Sequence, residues 1–343
     1  MAKIVTNNKE PHKPRSSVLF AVFVLFVVNF YVLYLTACVG KNINPNHVRV
    51  VLDWTPNTNH TGLYAALEKG WFADEGLTVQ IIQPPEDGAL VLLGSGNAEF
   101  GIDFQETMGP AIAKKNDALP IIAVAAIISH NTSGIMSLAS GGINSPRDLV
   151  GRRFASWETP LVTAIVKEIV ERDGGIFSEV KMIPNFATDA ISALKTDIDA
   201  IWVYYAWDGI AAEVNGVEVN YIDLGSLDSL YDFYTPIIAA NTNWLNQNPE
   251  TAKKFLKAAG KGYEFAIENP IEAAEILLKR APELDRALVL RSQEFLSSRY
   301  QDDAPRWGEI DAVRWGNFYN WMYERGLLEK NISQGGFTND YLP

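Results

Sequence analysis

Short β-branched apolar runs alternate with helical segments over the first two thirds of the chain after residue 47, and this alternation limits the fold more than any other feature. Residues 48–52, 78–83, 100–104 and 119–128 read as strands, with residues 62–69 and 89–93 as helices between them. The run 119–128 is apolar at nearly every position, as expected of a strand covered on both faces. Strands that alternate with helices build a mostly parallel sheet, so the chain is α/β.

A second α/β set is expected from about Gly141, where Ser145, Pro146 and Asp148 make a capped helical start. Strands at 153–156, 180–183, 200–205 and 219–224 follow, with helices at 161–172 and 187–195. Residues 236–240 form one more apolar strand, and the chain then turns helical. Asn248-Pro249-Glu250 and Asn269-Pro270-Ile271-Glu272 each place Asn at an N-cap, Pro at the first helical position and an acid in the first turn. Trp307, Trp315, Phe318 and Met322 recur at helical spacing and are assigned to the core. The expected organisation is two lobes around a cleft: residues 48–140 and 234–343 in lobe one, 141–233 in lobe two, with the helical tail packed back on lobe one.

The first 47 residues are read separately. Lys3, Lys9, Lys13 and Arg15 precede an apolar run at 18–34, shorter than the about 20 residues of a spanning helix. Leu35-Thr36-Ala37-Cys38 then resembles a bacterial lipobox, and Cys38 is the single cysteine of the chain. Residues 1–37 are therefore expected to be a lipoprotein signal peptide, and 38–47 a lipidated cysteine and tether. The alternative is a retained membrane anchor. Either way the body is expected to be exported, on the outer face of the bacterial cytoplasmic membrane. One cysteine forms no intramolecular disulfide, and a net charge of −12 without a basic patch in the body excludes nucleic acid as the expected partner.

Open α/β sheets bind ligands beyond the carboxyl ends of their strands, so the loops at those ends carry the candidates. Asp53, Trp54, Asn57, Asn59 and His60 follow the first strand, with Tyr64 on the next helix. Asp103 with Phe104, then Asn131, then Trp157 and Glu158 end later strands. Tyr204, Tyr205, Trp207 and Asp208 follow the strand at 200–205, and Tyr234 precedes the return to lobe one. Aromatic faces and carboxylates dominate this set, and its cations are confined to Arg152 and Arg153 at the start of a strand. Sulfonate or phosphate wants cations or several backbone donors, whereas an amine-bearing flat heterocycle wants stacking faces and acceptors. The expected ligand is a small aromatic nitrogen heterocycle, neutral or weakly cationic.

Each candidate has a structural alternative. Asp53, Asn57 and Asn59 suit turns, Trp54 suits loop packing, and Thr159 after Glu158 suits an N-cap. Tyr204, Tyr205 and Trp207 suit packing between lobes, and a lone histidine such as His60 is commonly structural. The sequence has no GxSxG, HExxH, Walker or GxGxxG motif, and His47, His60 and His130 lack metal-ligand spacing. No catalytic residue, cofactor or metal is assigned.

Residues 53–77 (DWTPNTNHTGLYAALEKGWFADEGL), 128–134 (ISHNTSG) and 199–210 (DAIWVYYAWDGI) resemble segments of the NMT1/THI5-like family of periplasmic-type binding proteins, a likeness extending over about residues 48–343. That resemblance implies a type II periplasmic-binding-protein fold and a monomer working with the permease and ATPase of an ABC importer. It is nearest to receptors that salvage a formylated aminomethylpyrimidine, a thiamin breakdown product. Relatives that bind riboflavin or sulfonates are the alternatives for the ligand. The family also holds pyrimidine-forming enzymes with a histidine and a cysteine-rich motif; His60 matches the former, but Cys38 stands alone.

Overall fold

The computed structural model describes residues 46–343 except 87, 158 and 185–188. The basic leader, the apolar run, Cys38 and Glu158 lie outside the described residues. Strands β1 (His47–Val51), β2 (Thr78–Ile82), β3 (Phe100–Asp103), β4 (Ile121–Ala126) and β10 (Ile237–Asn241) make one five-stranded sheet, in the order β2-β1-β3-β10-β4. Strands β5 (Ser133–Leu138), β6 (Arg153–Ser156), β7 (Lys181–Pro184), β8 (Ala200–Tyr204) and β9 (Val219–Asp223) make the other, ordered β7-β6-β8-β5-β9.

The two sheets share one design. β1 is parallel to β2 and β3, and β6 is parallel to β7 and β8. The antiparallel strands are β10 in the first sheet and β5 in the second, each the strand that arrives from the other lobe. A matching ion pair sits at the same place in both. Arg49 binds Glu99 through its amide and guanidinium at 2.7 Å each, and Arg153 binds Asp199 at 2.7 and 3.1 Å. In each lobe the acid lies just before the strand paired with the arginine's strand, so the pair fastens the amino ends of both and leaves the carboxyl ends to the site. This is the periplasmic-binding-protein fold, with two α/β lobes about a cleft.

The crossover comes earlier than Gly141. β5 pairs with β8 and β9, so the second sheet already owns Ser133. Its Ser-Gly-Ile-Met-Ser sequence is a weak strand signal for a physical reason. A Cβ at Gly134 would lie 2.4 Å from the Tyr221 ring and 2.5 Å from the Ile222 carbonyl oxygen, so this position must be bare. The return runs through a cis Thr235-Pro236 peptide into β10.

The tail consists mainly of helices Pro249–Glu268, Pro270–Arg280, Arg286–Ser297 and Ala312–Glu324. Asn248 and Asn269 stand at N-cap positions but make no side-chain cap bond. Their amides donate backwards, to the carbonyls of Trp244 and Phe265, and so close the preceding helices. Phe255 stacks on Phe100 of β3 at 4.1 Å and on Phe72 at 5.3 Å, which seats the tail on lobe one. Trp307, Trp315, Phe318 and Met322 are buried, as core residues should be. The last helix also reaches lobe two, where the Trp321 indole donates to Glu168 at 3.2 Å.

Candidate ligand-binding cleft

The loop after β1 is built around a tight turn. Asn57 caps the 3-10 turn Thr58–His60: its Oδ1 accepts from the Asn59 amide at 2.9 Å, and its own amide donates to His60 Nδ1 at 3.2 Å. A ring nitrogen that accepts carries no hydrogen, so His60 bears its proton on Nε2 and donates it to Asp53 Oδ1, 2.6 Å away. His60 is fully buried. Asn57 and His60, which the sequence offers as ligand contacts, use their side chains in the frame that orients Asp53, and Asn59 joins that frame through its backbone. The tail clamps this frame, since the Tyr263 and Tyr300 hydroxyls donate to the carbonyls of Asn59 and Thr58 at 2.8 and 2.6 Å. Trp54 projects from the same loop, 44% exposed.

The end of β3 supplies two more carboxyls. Asp103 accepts from the Phe104 amide at 2.7 Å and from the Thr107 hydroxyl. Burial pushes its carboxyl up to about 7 against those bonds, with the charge of Asp53 adding to the rise. Glu106, one turn on, is pushed by burial to about 8, with Asp103 adding to the rise. Both hydroxyls that reach it, Thr235 at 3.3 Å and Tyr204 at 3.4 Å, approach Oε1. Among the described residues Oε2 is buried without a hydrogen-bond partner. Among the described residues no lysine or arginine pairs with Asp53, Asp103 or Glu106.

Lobe two contributes through β6 and β8. The Tyr204 ring lies 6.0 Å from Phe104 and 20° from parallel, and Trp157, 48% exposed, lies 6.2 Å from Tyr204. Tyr204 and Tyr205 part company, as successive residues at the end of a strand do. Tyr205 donates to Glu213 at 2.6 Å, lies 4.7 Å from Tyr221, and lines a separate cavity of about 510 Å³ with Phe295 and Arg299. Asp208, in the π-turn Tyr205–Gly209, is pushed by burial to about 6.

Other candidates lie elsewhere. Asn131 is spent on the crossover, donating to the Tyr231 carbonyl at 2.7 Å and accepting from the Ser133 amide at 2.8 Å. Tyr234 is buried, with Arg314 3.9 Å over its ring and its hydroxyl taking the Asp311 amide at 2.7 Å. Tyr64 belongs to a small core with Ala274 and Leu277, against which Trp207 also packs. The sequence reading missed Glu106 and Thr235. The available signal was the spacing of Asp103 and Glu106, three apart across a helix start, which puts two acids at the same strand end.

The arrangement offers carboxyl acceptors, aromatic faces from both lobes and no paired cation. The NMT1/THI5-like family matches residues 57–273. A formylaminopyrimidine-binding protein of Halalkalibacterium halodurans is 28% identical over 315 residues, 88% of this chain and 93% of that protein. A 4-amino-5-hydroxymethyl-2-methylpyrimidine phosphate synthase of Legionella pneumophila is 25% identical over 70% of this chain and 75% of its own length. The periplasmic aliphatic sulphonate binding protein SsuA of Escherichia coli shares the fold, with a TM-score of 0.67 at 14% identity over 87% of this chain and 99% of that one. With the family matched over most of its length, the chain belongs to the NMT1/THI5-like family.

Proposed function

We propose that the chain is an extracytoplasmic solute-binding lipoprotein of an ABC importer, and that it takes a thiamin-related aminopyrimidine of the N-formyl-4-amino-5-aminomethyl-2-methylpyrimidine class. The observation that carries this reading is Glu106 Oε2, a buried oxygen with no partner among the described residues, beside the facing rings of Phe104 and Tyr204. An N–H donated to the ionised carboxylate contributes about 1.5–3 kcal/mol, less the cost of releasing the proton that burial holds on Glu106 near neutral pH. Stacking on an aromatic face adds about 0.5–1.5 kcal/mol. An amino-substituted flat ring meets both demands, whereas an anionic sulfonate would face carboxyls without a compensating cation.

Binding rather than catalysis is supported by His60, whose two ring nitrogens are both engaged, Nδ1 by the Asn57 amide and Nε2 by Asp53. Ligand docking against Asp53, Trp54, Asp103 and Glu106 in lobe one, completed by Tyr204, Trp157 and Asp208 from lobe two, would favour the closed arrangement. The permease and ATPase of the importer would then receive cargo from that arrangement, and Cys38 would hold the protein at the membrane through its lipid. The test is a thermal-shift screen of the full-length chain in detergent, with thiamin, the formylated and free aminopyrimidines, riboflavin and taurine. Ligand at a hundred times Kd stabilises by about 2.7 kcal/mol. A shift confined to an aminopyrimidine supports the proposal. A shift with riboflavin or taurine alone overturns the ligand, and no shift at all overturns the binding role.

A further inference from the structure

The two halves of the cleft are joined through a hydroxyl that sits behind the loop carrying Asp53. Thr58 Oγ1, in the turn behind Asp53, lies 2.7 Å from the hydroxyl of Ser292 on the tail helix Arg286–Ser297. Ser292, fully buried, also hydrogen-bonds the carbonyl oxygen of Ala206. A carbonyl oxygen only accepts, so Ser292 must donate there and its own oxygen accepts from Thr58. Ala206 belongs to the π-turn that follows β8 and Tyr204, yet its side chain is buried in the core formed by Leu52, Leu63 and their neighbours of lobe one. A π-turn of this kind is uncommon and concentrates at functional sites.

We propose that Ser292 is a positioning residue for ligand binding, setting the separation between the loop that carries Asp53 and the turn that follows Tyr204. The proposal rests on the binding role above and adds a buried element that couples the two lobes. Its energetic logic is differential. While the turn is seated, Thr58, Ser292 and the Ala206 carbonyl are shut away from water and need one another. When the lobes part, water replaces the bond to Ala206. Removing the Ser292 hydroxyl therefore costs the seated state more than the parted one and shifts the population toward open. A further polar tie across this seam, Arg291 to Glu213 at 3.1 Å, is exposed and worth little.

The experiment follows Ser292→Ala in the full-length chain, with dyes placed through unnatural amino acids at exposed positions Val91 of lobe one and Ile176 of lobe two, 48% and 55% accessible. Energy transfer is read first without ligand, and ligand dissociation is then followed by stopped flow with the formylated aminopyrimidine. The expected result is a longer mean dye separation in the ligand-free variant and dissociation about tenfold faster at an unchanged association rate, the effect of one buried hydrogen bond. Thr58→Val should add less in the Ser292→Ala background than it does alone. Thr58→Val by itself reads the same bridge if Ser292→Ala does not fold. A variant with a lowered Tm but wild-type dye separation and dissociation rate overturns the proposal, because Ser292 would then be structural only. If the wild type binds no aminopyrimidine, the ligand assignment fails, and the ligand-free dye separation still decides the role of Ser292.

Discussion

His60 Nε2 lies 2.6 Å from Asp53 Oδ1, while the same ring takes the Asn57 amide on Nδ1 at 3.2 Å. The imidazole is thus a spacer with fixed polarity, donor on one side and acceptor on the other. His60→Phe keeps the ring volume and removes both functions, leaving the Asn57 amide and an Asp53 oxygen without partners. Unfolding in urea should show a loss of about 2–4 kcal/mol, the sum of two such bonds where burial is strong. An unchanged urea midpoint would mean that the turn does not depend on the ring.

Asp103 and Glu106, raised to about 7 and about 8 by burial, are partly or largely protonated in the empty cleft near neutral pH. A ligand that donates N–H groups binds their ionised oxygens and must expel those protons. Affinity should therefore rise from pH 6 to about 8.5 and then level off. Calorimetry in two buffers of different ionisation enthalpy should report proton release on binding at pH 7. Identical apparent enthalpies in both buffers, with a flat affinity profile, would show that neither carboxyl meets the ligand.

The same two groups make stability depend on pH with a definite sign. A carboxyl whose folded pKa exceeds its unfolded value near 4 holds its proton more tightly in the folded state. Its contribution is complete below about pH 4 and is lost as pH climbs to about 7 for Asp103 and about 8 for Glu106. Glu106→Gln stays neutral throughout, so its stability relative to wild type should improve between pH 5 and 8.5, at most by about 1.4 kcal/mol per pH unit. Denaturation curves at the two pH values measure it. A difference that stays constant would place the Glu106 titration outside this range.

How far the sequence discloses all this depends on the residue. Alternating apolar runs are a direct imprint of parallel strands, so both sheets and most boundaries could be read. β5 could not, because its glycine answers to Tyr221, nearly ninety positions away in the chain. Asp53, Asp103, Trp157 and Tyr204 can be placed at strand ends from the sequence because strand ends converge in this fold. Asn131, Tyr234 and Tyr64 sit at equally plausible loop and helix positions, yet their side chains belong to the crossover, to Arg314 and to a small core. Glu106 stands out only once its burial is seen, with no cation among the described residues to serve it.

Gly62 shows how tightly the tail governs the cleft. A Cβ there would lie 2.3 Å from the Tyr263 ring, and the backbones approach so closely that one on Gly262 would lie 1.9 Å from the Gly62 carbonyl oxygen. Tyr263 cannot yield freely, since it stacks on Trp307 at 4.4 Å and its hydroxyl holds the Asn59 carbonyl. Gly62→Ala should therefore force the helix Thr61–Glu68 away from Pro249–Glu268, at a cost of about 1–3 kcal/mol typical of overpacking. Because the displaced helix begins at the residue after His60, ligand affinity should fall along with the urea midpoint. Gly70→Ala is the control for the loss of a glycine alone: Gly70 has a φ of +78° and open space around it, so that variant pays only for its backbone conformation, away from the cleft. Equal loss of affinity in both variants would show that the effect is general destabilisation rather than a shift of the turn behind Asp53.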